Sequence, residues 1–448
     1  MTQGSLLPKI LLFAIPLMIS SMLQLLFNAA DIVVVGRFSG DKVAGARYVA
    51  AIGSTGSCIN LILSVLMGLS VGVNVLAARY FAARQEKEMH ETVHTAIAMA
   101  IAGGVVVGVF GFIMSRLILT LMGSPAEVID LSTLYMRIYF VGLPVTMVYN
   151  FGSAVMRATG DTRRPLYYLC VAGIINVILN LFFVIGLHMH VAGVALATIL
   201  SQCISAGLVL RSLIVTDEIY RLELKRIRFH KDKLLRIINV GLPAGLQGSV
   251  FSLSNVLIQS SINEFGSIAM AGSAAGANLE GFVYMAMNAV YQASVSFTSQ
   301  NVGARRLDRI GKVLATCLAV VAVIGLVLGN TFYLFGNRLV GIYTSDAEAI
   351  AYGVERMSVI CTTYLLCGMM DVICGSLRGM GYSTVPMIVS IAGACGLRIV
   401  WIMTVFRHYH TLRTLYISYP VSWAVTGAVH LLCYSIIVAR LKDRMEAG

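Results

Sequence analysis

An internal duplication constrains this chain more than any other feature. The pattern R-x-x-G-x-[ST]-x-x-P occurs first at Arg157, Gly160, Thr162 and Pro165. It recurs 221 positions later at Arg378, Gly381, Ser383 and Pro386. Each copy lies between two long apolar runs, so the repeating unit is a whole helical bundle. Other marks recur with similar spacing. Ala14-Ile15-Pro16 matches Gly241-Leu242-Pro243, Phe81 to Arg84 matches Val302 to Arg305, and the His188/His190 pair matches His408/His410.

The solvent of those bundles follows from composition. Hydrophobic residues make up 58% of the 448-residue chain and charged residues 12%, and the mean hydropathy is +0.83. A soluble protein of this size has no interior large enough for that much apolar surface, so most of the chain faces lipid. Twelve apolar stretches are long enough to cross about 30 Å of hydrocarbon at 1.5 Å per residue. They lie near 10–35, 50–78, 92–121, 131–156, 165–187, 192–215, 234–262, 270–300, 312–335, 349–377, 385–406 and 414–439. The first is too long for a signal peptide and lacks an A-x-A site, so it is expected to be retained as a membrane helix.

The expected fold is all-α and polytopic, with twelve transmembrane helices in two pseudo-symmetric six-helix bundles around a central cleft. The bundles are assigned to 1–215 and 234–448, joined by a cytoplasmic linker at 216–233. Six spans per half bring both copies into the membrane from the same side, which makes the repeat parallel. The linker mixes both charge signs with Leu and Ile, and it is expected to be a solvated tether on anionic lipid heads.

The net charge of +12 does not point to nucleic acid. Most Lys and Arg fall on one side of the predicted membrane, which is the positive-inside bias, and there is no aromatic-basic patch. Both termini are therefore expected in the cytoplasm. The nine cysteines all fall in predicted helices and form no disulfide framework. The outer histidine pairs, and His90 with His94, have weak metal-ligand spacing and no further ligands nearby. There is no H-E-x-x-H, P-loop or G-x-S-x-G, so no enzymatic reading has support and no cofactor is expected.

Chemistry should lie with polar groups inside the spans. Three acids fall there, Asp31, Glu280 and Asp371, each costly in hydrocarbon and so a functional candidate. Ser20, Gln24, Asn28 and Asp31 form one polar stripe on the first helix. Asn176 and Asn180 share a face of the fifth span, and Thr198 lies in the sixth at a similar depth to Asp31. These groups can meet in one pocket of the first bundle, where Asp31 can exchange a proton as the pocket opens or dries. The alternative is a satisfied polar network that tightens the bundle. With the halves aligned, Pro16 matches Pro243, Ser20 matches Gln247 and Asn28 matches Asn255, but Asp31 falls on Ile258. Ion coupling at this position would then belong to the first bundle alone.

Glu280, near Asn278 in the eighth span, is a candidate for attracting a cationic substrate, for a second proton site or for a structural ion pair. Gln24, Asn255 and Gln247 are further cleft candidates. Asp371 and Arg398 are expected to pair structurally, with Glu280 as the other possible partner of Arg398. Pro16 is a candidate bending point in the first helix. The 22 Met, 18 Phe and 19 Tyr suit a pocket that accepts many ligand shapes.

Taken together, these residues resemble the multidrug and toxic compound extrusion (MATE) transporters. The resemblance rests on the two six-helix bundles and on N-x-x-D-x-x-x-V-G at Asn28, Asp31, Val35 and Gly36. It rests also on the duplicated turns and on Asn176, Asn180 and Thr198. It covers nearly the whole chain. It implies a V-shaped pair of bundles and cation-coupled export of organic, often cationic, drugs across the plasma membrane. It also implies a proton- or sodium-binding aspartate at Asp31, ringed by Asn176, Asn180, Thr198 and Tyr135. Two departures favour a proton over sodium: some members carry a second acid where this chain has Asn180, and others a glutamate where it has Phe251. The expected partners are drug-like organic molecules and the bilayer, with the protein a monomer. A flippase of lipid-linked precursors, a passive channel and a sensor are the alternatives.

Overall fold

A computed structural model describes residues 1–38 and 42–446. The described residues are helical with short connections. The first half contains α1 (Leu6–Arg37), α2 (Lys42–Ala82), α3 (Glu86–Leu121), α4 (Ile129–Val141), α5 (Leu143–Thr159), α6 (Arg163–Leu181) and α7 (His190–Val215). The second contains α8 (Lys231–Asn263), α9 (Ser267–Gly303), α10 (Leu307–Leu334), α11 (Gly336–Val340), α12 (Ala347–Gly379), α13 (Thr384–Ser390), α14 (Leu397–Trp401) and α15 (Leu412–Glu446).

Ten of the helical spans are long and apolar enough to cross a membrane. The pair α4–α5, bent by 48° at Gly142, makes an eleventh. The stretch at 131–156 is therefore a broken span, and the G-L-P sequence at Gly142–Pro144 is its local cause. The twelfth long helix is α9, 37 residues rich in Ala, Ser, Gly and Asn and largely buried within its unit. Small polar residues suit such a helix, because they let neighbours approach closely and bond across the contact. The chain is a multi-pass membrane protein.

Duplication is written into the backbone. Gly160 and Gly381 both take positive φ, at 102° and 95°. Each ends a helix with the same pair of bonds. Gly160 N–H donates to Arg157 and Asp161 N–H to Met156, while Gly381 N–H donates to Arg378 and Tyr382 N–H to Leu377. This is the left-handed cap that glycine makes cheap, and it explains the glycine in the repeated pattern. Arg84 and Arg305, also 221 apart, repeat the cap with a side chain in place, at φ 55° and 56°. A π-helical turn at Phe182–Gly186 recurs at Ile402–Phe406.

The chain forms two compact units, Ile19–Ile238 and Met1–Met18 with Asn239–Gly448. The divisions fall inside α1 and α8, each close to an internal proline, Pro16 or Pro243. In the second unit Ile10, Phe13, Ala14 and Leu17 pack with Phe297, Val313 and Leu377. In the first, Ile237 packs with Val93, Tyr220 and Leu222.

The linker is docked rather than loose. Tyr220 and Leu222 are buried. The His94 imidazole donates from Nδ1 to the His90 carbonyl at 2.7 Å and accepts at Nε2 from the backbone N–H of Glu223 at 3.0 Å. The backbone N–H of His230 donates to Thr95. At the start of α8, Lys233 is held by Glu88, by Asp232 at 2.9 Å and by Glu91 at 3.7 Å. The expected loose tether is a strap fastened to the first turns of α3. His94 is occupied as its clasp, and no metal-ligand group occurs among the described residues.

Candidate functional site

Three helices of the Ile19–Ile238 unit build the polar centre. Asp31 points from α1 into that unit and is buried. The side-chain amide of Asn180, on α6, donates to Asp31 Oδ1 and also to Asn176 Oδ1 at 3.2 Å. Thr198, on α7, donates to Asp31 Oδ2 at 3.4 Å and to its own helix carbonyl, Val194, at 3.0 Å. The close approach of α1 to α6 depends on Gly173, where a Cβ would overlap the Phe27 ring. Asn180 precedes the π-turn at Phe182–Gly186 by two residues, and such turns re-aim side chains at functional positions.

No Lys, Arg or His pairs with Asp31 among the described residues. Its partners are neutral dipoles. The carbonyl oxygen of the Asn180 side chain is buried and has no hydrogen bond. Beside this cluster lies a cavity of about 250 Å³ whose lining includes Gln24, Asn28, Asp31, Asn176 and Thr198. Gln24 and Asn28 face open space and do not bond to Asp31. Tyr135 lies within electrostatic reach of Asp31, again without a hydrogen bond to it.

Further polar residues line the cavity, among them Tyr139, Asn150 and Gln202. Gln202 stands one helical turn beyond Thr198, and Tyr139 one turn beyond Tyr135. The four-residue spacing that groups Asn176 with Asn180 would have found both. Asn150 faces the cavity from beyond the break at Gly142, and its place depends on that bend.

The other unit arranges its polar residues differently. Glu280 is gripped by Arg356, whose Nε and Nη2 each donate to one carboxylate oxygen at 2.8 Å. Arg356 Nη1 also donates to Ser273, which accepts from Tyr416 as well. The partner of Glu280 is therefore Arg356 and not Arg398. Arg398 donates to Ser422 at 3.0 Å and lies 4.3 Å from the Tyr419 ring centre. Asp371 sits beside the Tyr284 hydroxyl, and no ion pair joins it to Arg398 among the described residues. The expected Asp371–Arg398 pair is absent because each finds a partner on another helix.

Gln247 is not an open cleft residue. Its carbonyl accepts from Arg378 of the repeated motif at 2.7 Å, while Tyr291 accepts from the same guanidinium at 2.6 Å. Asn255 and Asn278 are exposed and Pro16 is buried. Ile258, which aligns with Asp31, is buried at 1% exposure, so the duplicated position is apolar in this unit.

The chain matches the MatE family over residues 16–182 and over 243–404, once in each half. It is 28% identical to the probable multidrug resistance protein YoeA of Bacillus subtilis (strain 168), over 93% of this chain and 90% of that one. It is 24% identical to the FAD transporter of Shewanella oneidensis, over 76% of this chain and 75% of that protein. Its fold matches a solved outward-facing conformation of a multidrug resistance MATE family transporter of the MOP superfamily. That match has a TM-score of 0.90 at 22% identity and covers 99% and 98% of the two chains.

Proposed function

This chain belongs to the MatE family of membrane transporters, and on that premise we propose that it is a multidrug efflux antiporter driven by protons. One observation carries the reading. Asp31 is a buried carboxyl with neutral partners only, beside an open cavity. A carboxylate in that setting is unstable unless something offsets its charge. It can take a proton, or it can hold a cation. Alternation between two such states is what coupling requires.

The donor set favours the proton. Asn180 turns its amide nitrogen to Asp31, and the second bond of that nitrogen, to Asn176, fixes the orientation. A sodium ion would need several oxygen ligands at this place, and Asp31 is the one acid that lines the cavity among the described residues. Uptake of one charge supplies about 2.3 kcal/mol per 100 mV, and a unit of pH gradient adds about 1.4 kcal/mol. Together they support export gradients of a few hundredfold for an uncharged substrate, and about tenfold per proton for a monovalent cation, whose export cancels the voltage term.

Relatives named for multidrug resistance and multidrug export support drug-like organic substrates. Two buried basic groups of the other unit are engaged, Arg356 by Glu280 and Arg378 by Gln247 and Tyr291. A flippase for pyrophosphate-bearing precursors would need such cations free. The positive-inside bias supports the plasma membrane with both termini in the cytoplasm.

The test is dye export from proteoliposomes with pH and sodium gradients imposed separately. The expected result is export that follows the pH gradient, is indifferent to sodium and is lost in D31N, with the melting temperature of that variant near the parent's. Undiminished export by D31N would reject Asp31 as the coupling residue. Export that follows sodium alone would reject the proton.

A further inference from the structure

The linker-side ends of α6 and α7 frame a second groove, whose lining shares no residue with the cavity beside Asp31. It has a volume of about 350 Å³ and is lined by Arg164, Tyr168, Leu208, Arg211, Ser212, Val215 and Thr216. No acid is among these residues. Arg164 is fixed in place. Asp161 accepts from its Nε, Ser212 accepts from Nη1 at 3.1 Å and Tyr220 from Nη2 at 3.4 Å. Arg211 is exposed and has no hydrogen bond or ion pair among the described residues. Arg163, also exposed, adds a third cation at the first turn of α6. With Asp161 counted against them, these side chains leave a surplus of positive charge. The bond from Arg164 to Tyr220 sets that charge at the level of the linker, where the helices leave the membrane.

Below the charge the groove walls are apolar and face outward. On α6, Tyr167, Val171, Ile174 and Ile178 are all exposed, and their spacing puts them on the same face as Arg164 and Tyr168. On α7, Leu200 is exposed and shares a face with Leu208 and Arg211. A cationic end joined to an apolar track of membrane depth has the shape of an amphiphile with an anionic head. The feature is confined to one half. The positions matching Arg163, Arg164 and Arg211 at the motif spacing are Thr384, Val385 and Leu432, so the duplicated scaffold does not require these arginines.

We propose that this groove binds an anionic phospholipid of the linker-side leaflet. Arg211 and Arg164 take the phosphodiester, Ser212 and Tyr168 present hydroxyls to it, and an acyl chain lies along Tyr167, Val171 and Ile174. Arg211 is the adjustable member, because Arg164 is committed to its own network. Basic pockets between spans on this side are where charge and burial act together on a lipid head.

The experiment places a reporter tryptophan at the groove with Y167W and subtracts the signal of Trp401 and Trp423 measured in the parent chain. Phosphatidylcholine nanodiscs carry a small share of either dibrominated phosphatidylglycerol or dibrominated phosphatidylcholine, and bromine quenches tryptophan on contact. The expected result is stronger quenching by the anionic lipid, with that preference reduced about fivefold by R211Q and unchanged by R440Q in the other unit. Because Arg211 is exposed and makes no hydrogen bond or ion pair among the described residues, R211Q is expected to fold normally. Equal quenching by the two lipids would overturn the proposal, as would a preference indifferent to R211Q. A preference abolished by added inorganic phosphate would also overturn it, since the occupant would then be a free anion.

Discussion

Asp31 and Glu280 are both carboxyl groups inside helical units of the same ancestry, but their surroundings differ in kind. Glu280 meets a guanidinium through two parallel bonds of 2.8 Å, and that guanidinium is itself braced by Ser273 and the Tyr416 ring. The pair is neutral as a whole, and both partners are buried. Asp31 meets an amide and a hydroxyl, and it opens on a cavity of about 250 Å³. A bidentate ion pair resists a change of charge, because loss of either partner strands the other. Dipoles tolerate either protonation state. The comparison teaches that intramembrane acidity alone does not mark a functional site. Under the proposed function, what would mark it is an acid whose neighbours leave its charge uncompensated.

The sharpest way to break this comparison is to remove the cation from the closed pair. R356Q strands Glu280 in the interior and is expected to cost about 3–5 kcal/mol of stability, read as a lower midpoint in detergent unfolding. Replacing both partners by apolar residues, E280L with R356M, should recover most of that loss. D31N should leave the midpoint close to the parent's while abolishing coupled export. If R356Q unfolds like the parent, Glu280 is not a structural pair and the contrast fails.

A smaller effect sharpens the other side. Asn180 supplies the shorter of the two bonds to Asp31, and Thr198 the longer one, at 3.4 Å and shared with Val194. N180A removes a buried donor to a charged group, worth about 1–3 kcal/mol, and should slow pH-driven export roughly 10- to 100-fold. T198V should slow it less than tenfold. The order of the two variants in a dye-efflux assay is the check, and a larger effect from T198V would contradict the geometry.

The sequence carried the fold well because its signals are local. Span length, the repeated cap glycine and the alignment of the two prolines are all readable along the chain. The Asp31 cluster was also legible, since Asn176 and Asn180 share a helix face and depth below the surface is a count of residues. What was not legible depends on packing between distant segments. The choice of Arg356 over Arg398 for Glu280 spans 76 positions and is decided by which faces of α9 and α12 meet. His94 has the spacing of a weak ligand pair with His90, yet its role is to fasten a linker 129 positions away. Gln247 looked like a cleft residue because nothing in its neighbourhood announces Arg378. The bend at Gly142 was signalled by G-L-P, but a single apolar stretch masked it.

The smallest prediction tests what the halves still share. Gly160 and Gly381 end equivalent helices with equivalent bonds and nearly equal φ. An alanine in that left-handed conformation costs about 1–2 kcal/mol from its Cβ alone, whatever the unit does in transport. G160A and G381A should therefore lower the unfolding midpoint by similar small amounts and leave the coupling ratio of export to proton uptake unchanged. Arg84 and Arg305 offer the reciprocal change, since each already bears a side chain at positive φ. R84G and R305G should each relieve strain of about 1 kcal/mol, offset in part by the flexibility glycine adds to the unfolded chain. Equal responses within each pair would mean that divergence between the halves is confined to their polar interiors. A cap variant in the Asp31 half that altered coupling while its counterpart did not would mean that the turn itself moves during transport, and the scaffold would then be part of the difference.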